Sequence, residues 1–180
     1  MADRIAPVPH LNKMKFMSEP TAHVDTFIRD NMPPENSWPE MDYWVLPELA
    51  AYPARMNVAA ELLDKAIADG QGDRPYIYFQ DEVWTYADTQ VKANQIARVL
   101  TEDCNMVPGE RVILRSGNHP MLIAAWFGIL KAGGIAISTM PVLRERELTY
   151  MIGKAKVQLA ISDAKLSQDI ELAQENTETL

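Results

Sequence analysis

The sequence predicts an α/β fold, a βαβαβ unit of parallel strands preceded by a proline-rich arm. Three observations carry this. Apolar runs that read as strands begin at 111, 134 and 157, each 23 residues after the last. Each intervening segment is long enough for the helical crossover that parallel strands require. Such units wind right-handed, with helices covering the sheet. Finally, residues 1–56 hold eight of the twelve prolines, so regular structure is expected from residue 57 onward.

In the arm, "MPPENSWPEM" and "LPELAAYP" enclose Trp38, Tyr43 and Trp44, aromatics suited to packing on a body. "TAHVDTFIRDNM" reads as a helix of about three turns with Val24, Phe27 and Ile28 on one face. The body, 57–180, opens with "NVAAELLDKAIADG". Asn57 is its N-cap, Gly70 its stop, and Val58, Leu62, Leu63, Ala66 and Ile67 form its apolar face. "RPYIYF" and "VWTY" read as strands around the polar "QDE". Thr85 and Asp88 form a capping box for a helix to Leu100 that buries Val91, Ile96, Val99 and Leu100.

"RVILR" is then a buried strand, followed by the helix "HPMLIAAWFGILKAG", capped by Asn118 or His119 with Pro120 in its first turn. That helix is apolar nearly all round, which predicts cover on both sides, more than 180 residues are expected to supply. "GIAIS" is the next strand, the expected middle of the unit. "ERELTYMIGKA" is an amphipathic helix with Leu148, Met151, Ile152 and Ala155 in register. "VQLAI" at 157–161 is the third strand, and the acidic tail opens another helix.

Composition excludes some functions. A net charge of -8 and 17 Lys+Arg against 25 Asp+Glu disfavour nucleic acid and anionic membrane surfaces. The longest apolar run, Met121 to Leu130, is too short to span a bilayer, and the N-terminus lacks a signal-peptide core, so the expectation is a cytoplasmic protein. The single cysteine, Cys104, rules out an internal disulfide and reads as a helix-end residue rather than a nucleophile.

Candidate ligand residues are few. Gly133 and Gly134 could suggest a phosphate loop, but they follow a helix and precede a strand, where carbonyls point outward and repel phosphate. Gly133 is therefore read as the left-handed residue ending the helix, and Gly134 as room for a tight approach to the sheet. His10, His23 and His119 lack metal-ligand spacing. Ser116 lies past the first parallel strand, where open α/β sheets bind ligands, but lacks a nucleophile elbow and a base. Glu145 and Glu147 read as an acidic first turn. "LRERE" is the one place where charge could serve a ligand, through Arg144 and Arg146.

The order of these segments resembles a known family. "WTYADTQVKANQIARVL", "VPGERVILRSGNHP" and "GILKAGGIAISTMPVLRERELTYMI" are similar to the N-terminal region of AMP-forming acyl-CoA synthetases, the adenylate-forming superfamily. The signatures are Trp84–Asp88 and Leu130–Pro141, within a resemblance spanning 57–165. The arm segments "TAHVDTFIRDNMPPENSWPEM" and "YPARMNVAAELLD" resemble the leader of aryl-CoA ligases acting on 2-aminobenzoate or benzoate. The resemblance implies an enzyme using ATP, Mg2+ and coenzyme A on a small carboxylic acid, of which these residues are the first part of the large domain. It implies no catalytic or metal residue here, because the family's phosphate loop, acyl pocket and lysine lie downstream. The remainder of the ligase chain is then the main partner, and the isolated piece is expected to be inactive and to self-associate. Some relatives place a coenzyme A phosphate-binding arginine directly after the proline of the second signature. That position is Val142, and Arg144 is the residue that could substitute. A non-catalytic interaction module, a stand-alone nucleotide-binding protein and a ligase for aliphatic acids are the competing readings.

Overall fold

The computed structural model describes residues 21–39, 46–53 and 55–180. His10, Tyr43 and Trp44 lie outside them. The arm contributes two single-turn helices, α1 (Phe27–Asp30) and α2 (Pro47–Ala50). The body runs α3 (residues 58–71), β1 (Pro75–Phe79), β2 (Glu82–Thr85), α4 (Tyr86–Arg98), β3 (Arg111–Arg115), α5 (Pro120–Lys131), β4 (Ile135–Thr139), α6 (Glu145–Ala155), β5 (Leu159–Ser162) and α7 (Ser167–Glu175).

β1 and β2 form an antiparallel hairpin, and the other strands form a parallel sheet in the order β4-β3-β5. The strand launched by Gly134 is thus not the middle one: β3 is, and β4 pairs only with β3 among the described residues. The chain moves one way across the sheet through α5 and back through α6. With right-handed crossovers, that reversal puts the two helices on opposite faces. The core agrees, because strand side chains alternate between faces. Val112 and Leu114 pack with Ala125 and Ile129 of α5, while Ile113 packs with Leu148 and Ile152 of α6 and Ile170 of α7.

Local signals place the helices. Asn57 Oδ1 accepts from the amides of Ala59 and Ala60, capping α3 as expected. Thr85 and Asp88 exchange backbone-to-side-chain hydrogen bonds in the expected capping box, and the Thr85 amide and hydroxyl hold the Asp88 carboxyl below its usual range. His119, not Asn118, caps α5: its Nδ1 accepts from the Met121 amide at 3.1 Å. The acidic tail does form a helix, α7.

Four expectations need correction. The three-turn arm helix is one turn, with Val24 and Ile28 exposed, because the Val24 and Asp25 amides instead donate to the Pro108 carbonyl. In α3 the buried residues are Ala59 and Leu63, leaving Val58 and Leu62 exposed; π-type hydrogen bonding over Ala60–Asp64 and Ile67–Gln71 shifts the phase of the face. Along α4 and the π-helical turn that continues it (Val99–Asp103), the buried stripe is Thr89, Ala93 and Leu100 with half-buried Ile96, while Val91 and Val99 face outward. β5 begins two residues later than expected, because Lys156 takes a left-handed conformation (φ 50°) and the Val157 amide closes back on Ile152.

The close approach of α4 to α5 explains its stripe. A Cβ on Gly128 would lie 2.8 Å from Cβ and Cγ2 of Ile96 and 3.0 Å from the Ala93 carbonyl. Small residues on both helices let their backbones meet. α5 is consequently sandwiched between α4 and the sheet, and only Met121 and Ile123 in its first turns stay more than a third exposed. The cover that its all-apolar sequence demands is mostly supplied by these residues themselves.

Candidate functional site

Open parallel sheets bind ligands beyond the carboxyl ends of their strands, beside the point where successive crossovers take opposite faces. Here that point lies between β3 and β5, with the β4–α6 loop alongside. The segments assembled there are 116–119 after β3, 140–144 after β4 and 163–166 after β5. The Asp163 amide donates to the Arg115 carbonyl at 2.8 Å, joining two of them.

Arg115 occupies the centre. Its side chain is fully buried at the last residue of β3. The guanidinium donates to the carbonyls of Met140 (3.1 Å), Pro141 (3.1 Å), Leu143 (2.7 Å) and Leu166 (3.3 Å), and pairs with Asp169 at 3.3 Å. A buried charge is tolerated only when paired and hydrogen-bonded throughout, and this one is.

Arg144 and the expected charge cluster sit on the rim. Arg144 is the residue before α6, and its amide donates to Glu147 Oε2 at 3.0 Å. Its side chain is 75% exposed and reaches Asp169 Oδ2 at 3.4 Å. Asp169 Oδ1 accepts from the Glu145 amide at 3.3 Å, completing a junction between α6 and α7. Glu145 also accepts from Thr149 and Asn176. Both carboxylates therefore serve helix α6, as the sequence suggested. Arg146 is exposed, and Ser116 is half-buried. His119 stacks edge-on to Phe79 at 4.9 Å and is engaged in its cap. Cys104 is exposed at a helix end. Among the described residues, no group of three or more His, Cys, Asp or Glu is placed to hold a metal.

The glycine pair lies at the opposite edge of the sheet. Gly133 has φ 79°, and a Cβ on Gly134 would lie 3.0 Å from both Ile129 and Met106. Both glycines make the corner between α5 and β4, as their order in the sequence argues. The neighbouring Lys131 pairs with Asp64 and hydrogen-bonds Asn94, both at 2.5 Å, tying α5 to α3 and α4.

A second buried arginine, Arg111, starts β3 at that same edge and docks the arm. It pairs with Asp25 at 2.7 Å, lies 4.8 Å from the Phe27 ring centroid, and donates to the carbonyls of Gly109, Ala155 and Lys156. Gln158 donates to the other Asp25 oxygen at 3.0 Å. Burial pushes the Asp25 carboxyl up, but the Arg111 hydrogen bond, the Phe27 amide, the Arg111 charge and Gln158 outweigh it and hold the carboxyl below its usual range. The sequence reasoning missed both arginines and their partners. The available signal was the pair of charges flanking "VIL": at positions 111 and 115 of one strand they share the face of Ile113.

The parallel sheet with helices on both faces, and a rim of loops at its carboxyl edge, defines an open α/β domain. The family profile described as "AMP-binding enzyme" matches residues 64–180, more than half of the chain. The chain belongs to that family, and its fold matches part of the N-terminal domain of adenylate-forming enzymes. The crystal structure of the anthranilate CoA ligase AuaEII in complex with anthranoyl-AMP is similar, with TM-score 0.67 and 22% identity over 73% of this chain and 25% of that one. Surfactin synthase subunit 1 of Bacillus subtilis (strain 168) is 27% identical over 117 residues, 65% of this chain and 3% of that protein. The long-chain-fatty-acid–CoA ligase of the same organism is 30% identical over 124 residues, 64% of this chain and 22% of that protein. The chain thus spans a quarter or less of the length of these relatives. No helix among the described residues is long and apolar enough to cross a membrane.

Proposed function

We propose that residues 1–180 form the N-terminal part of an ATP-dependent acid–CoA ligase whose substrate is an aromatic acid such as 2-aminobenzoate or benzoate. In the reaction a carboxylate oxygen attacks the α-phosphorus of ATP and pyrophosphate leaves, giving an acyl-adenylate. The thiolate of coenzyme A then attacks the acyl carbon and AMP leaves. The observation that carries this reading is the fold likeness to a ligase crystallised with anthranoyl-AMP, a product of the first step. The family match supports adenylate formation, and the resemblance of the arm sequence to aryl-CoA ligase leaders supports the substrate class.

Arg144 is the residue assigned to a coenzyme A phosphate, on its exposure and its place on the carboxyl rim of the sheet. ATP and Mg2+ are assigned to the rest of the ligase, because the family resemblance places the phosphate loop and the other ATP-binding residues downstream of these. Residues 1–56 act as an arm and 57–180 as the body, in a cytoplasmic enzyme.

The test is acid-dependent ATP–pyrophosphate exchange followed by thioester formation. The intact ligase gives both with 2-aminobenzoate or benzoate, whereas residues 1–180 alone give neither above background. Exchange by residues 1–180 alone overturns the division of labour. A preference for long-chain acids overturns the substrate class, and adenylation without coenzyme A transfer overturns the acceptor.

A further inference from the structure

We propose that Arg115 is a positioning residue for the coenzyme A half of the reaction: it fixes the β4–α6 loop and neutralises Asp169, which leaves Arg144 a net cation at the rim. The inference rests on the assignment of Arg144 to a coenzyme A phosphate.

Two features of the geometry carry it. The first is where the Arg115 hydrogen bonds go. Three end on carbonyls of one short loop, those of Met140, Pro141 and Leu143, immediately before Arg144. Another ends on Leu166, just before α7. The guanidinium therefore fixes the path of the segment that presents Arg144. The neighbouring strand residues Val112 to Leu114 are all apolar, so an apolar side chain at 115 would fit the sheet without the cost of burying a charge. Position 115 has instead been given a fork of donors that matches the loop.

The second feature is charge. Asp169 Oδ2 is shared between buried Arg115 at 3.3 Å and exposed Arg144 at 3.4 Å. With two arginines on one carboxylate, the trio carries a net positive charge. Without Arg115, Asp169 would satisfy Arg144 alone, and the pair would offer an incoming phosphate no net charge. The Glu147 carboxylate accepts from the Arg144 amide at 3.0 Å, whereas the Arg144 guanidinium turns to Asp169. Arg115 is thus a counter-charge that spares Arg144, without contacting the ligand itself.

The experiment measures both half-reactions of the intact ligase for wild type, Arg144→Ala, Arg115→Met, Arg115→Lys and the double variant Arg115→Met with Asp169→Asn. Arg115→Met raises the KM for coenzyme A about tenfold, the loss of one charge-assisted contact, while acid-dependent pyrophosphate exchange stays within about twofold. Arg144→Ala gives the same pattern. The double variant restores the net positive charge and returns the KM to within about threefold of wild type, which repair of a merely structural defect would not do. Arg115→Lys, keeping charge but losing the fork, falls between. A double variant no better than Arg115→Met, or equal losses in both half-reactions, overturns the inference. If Arg115→Met does not fold, by circular dichroism, the lysine and double variants decide alone. An Arg144→Ala enzyme with unchanged KM for coenzyme A removes the underlying assignment, whereas normal Arg144 dependence with no Arg115 effect removes only the inference.

Discussion

Replacing Gly128 by alanine tests whether α4 and α5 meet as closely as their small residues suggest. In an open helix position the change is favourable, because alanine exceeds glycine by about 0.8–1.0 kcal/mol in helix propensity. At Gly128 the new methyl meets Ile96 Cβ and Cγ2 at 2.8 Å and the Ala93 carbonyl at 3.0 Å. Neither can swing aside: one is backbone, and the other is a β-branched side chain with a single favoured helical rotamer. Overpacking of this kind costs about 1–3 kcal/mol. The net expectation is a loss of about 0–2 kcal/mol, or up to roughly 8 °C in Tm for a chain of this length. Gly153 on α6 is the internal control, since nothing lies within 4 Å of its added Cβ. Gly153→Ala should gain up to about 1 kcal/mol by propensity alone. Urea unfolding followed by circular dichroism compares the two. Ile96→Ala added to Gly128→Ala should recover part of the loss, a coupling visible in a double-mutant cycle. A Gly128→Ala variant as stable as Gly153→Ala refutes the packing argument.

Arm docking should depend on acid. The Asp25 carboxyl is held below its usual value, so its contribution is complete above the unfolded value of about 3.9 and lost as pH falls through the lower folded one. Hydrogen exchange at the Val24 and Asp25 amides should rise in that window, beyond the intrinsic pH effect, and Asp25→Asn should remove the dependence; equal dependence in both proteins contradicts it. His119→Ala should cost about 1 kcal/mol through loss of the α5 cap, with His119→Asn retaining most of it, read as a Tm difference. Residues 1–180 in isolation should self-associate in light scattering, because Tyr78, Val83 and Val91 remain exposed on the hairpin and α4; a monodisperse monomer counts against this.

The parts of the fold that were legible in the sequence are those decided locally. Thr85 with Asp88, Asn57 and Gly133 each act on amides or carbonyls within a few residues, so their types and spacing suffice. The phase of α4 was not legible. Val91 and Val99 are its most apolar outward residues, but the buried stripe runs through Thr89 and Ala93 because Gly128, thirty-five residues beyond Ala93, demands a close approach. The start of β5 was hidden because Lys156 adopts a left-handed conformation unusual for lysine. At the candidate site, Arg144 stands on the rim where "LRERE" placed it. Its relation to Arg115 was not legible, since Asp169 joins them from another helix. Of the aromatics expected to pack the arm onto the body, Tyr43 and Trp44 lie outside the described residues; among those residues the arm is held by Asp25 and Phe27 on Arg111.

The central claim is that these residues are the scaffold of an acid–CoA ligase whose chemistry needs the rest of the enzyme. It is tested most directly by acid-dependent ATP–pyrophosphate exchange with 2-aminobenzoate, run side by side on the intact ligase and on residues 1–180. The account predicts exchange by the intact ligase and none above background by residues 1–180. Exchange by residues 1–180 alone, or its absence from the intact ligase with every aromatic acid tried, would contradict it.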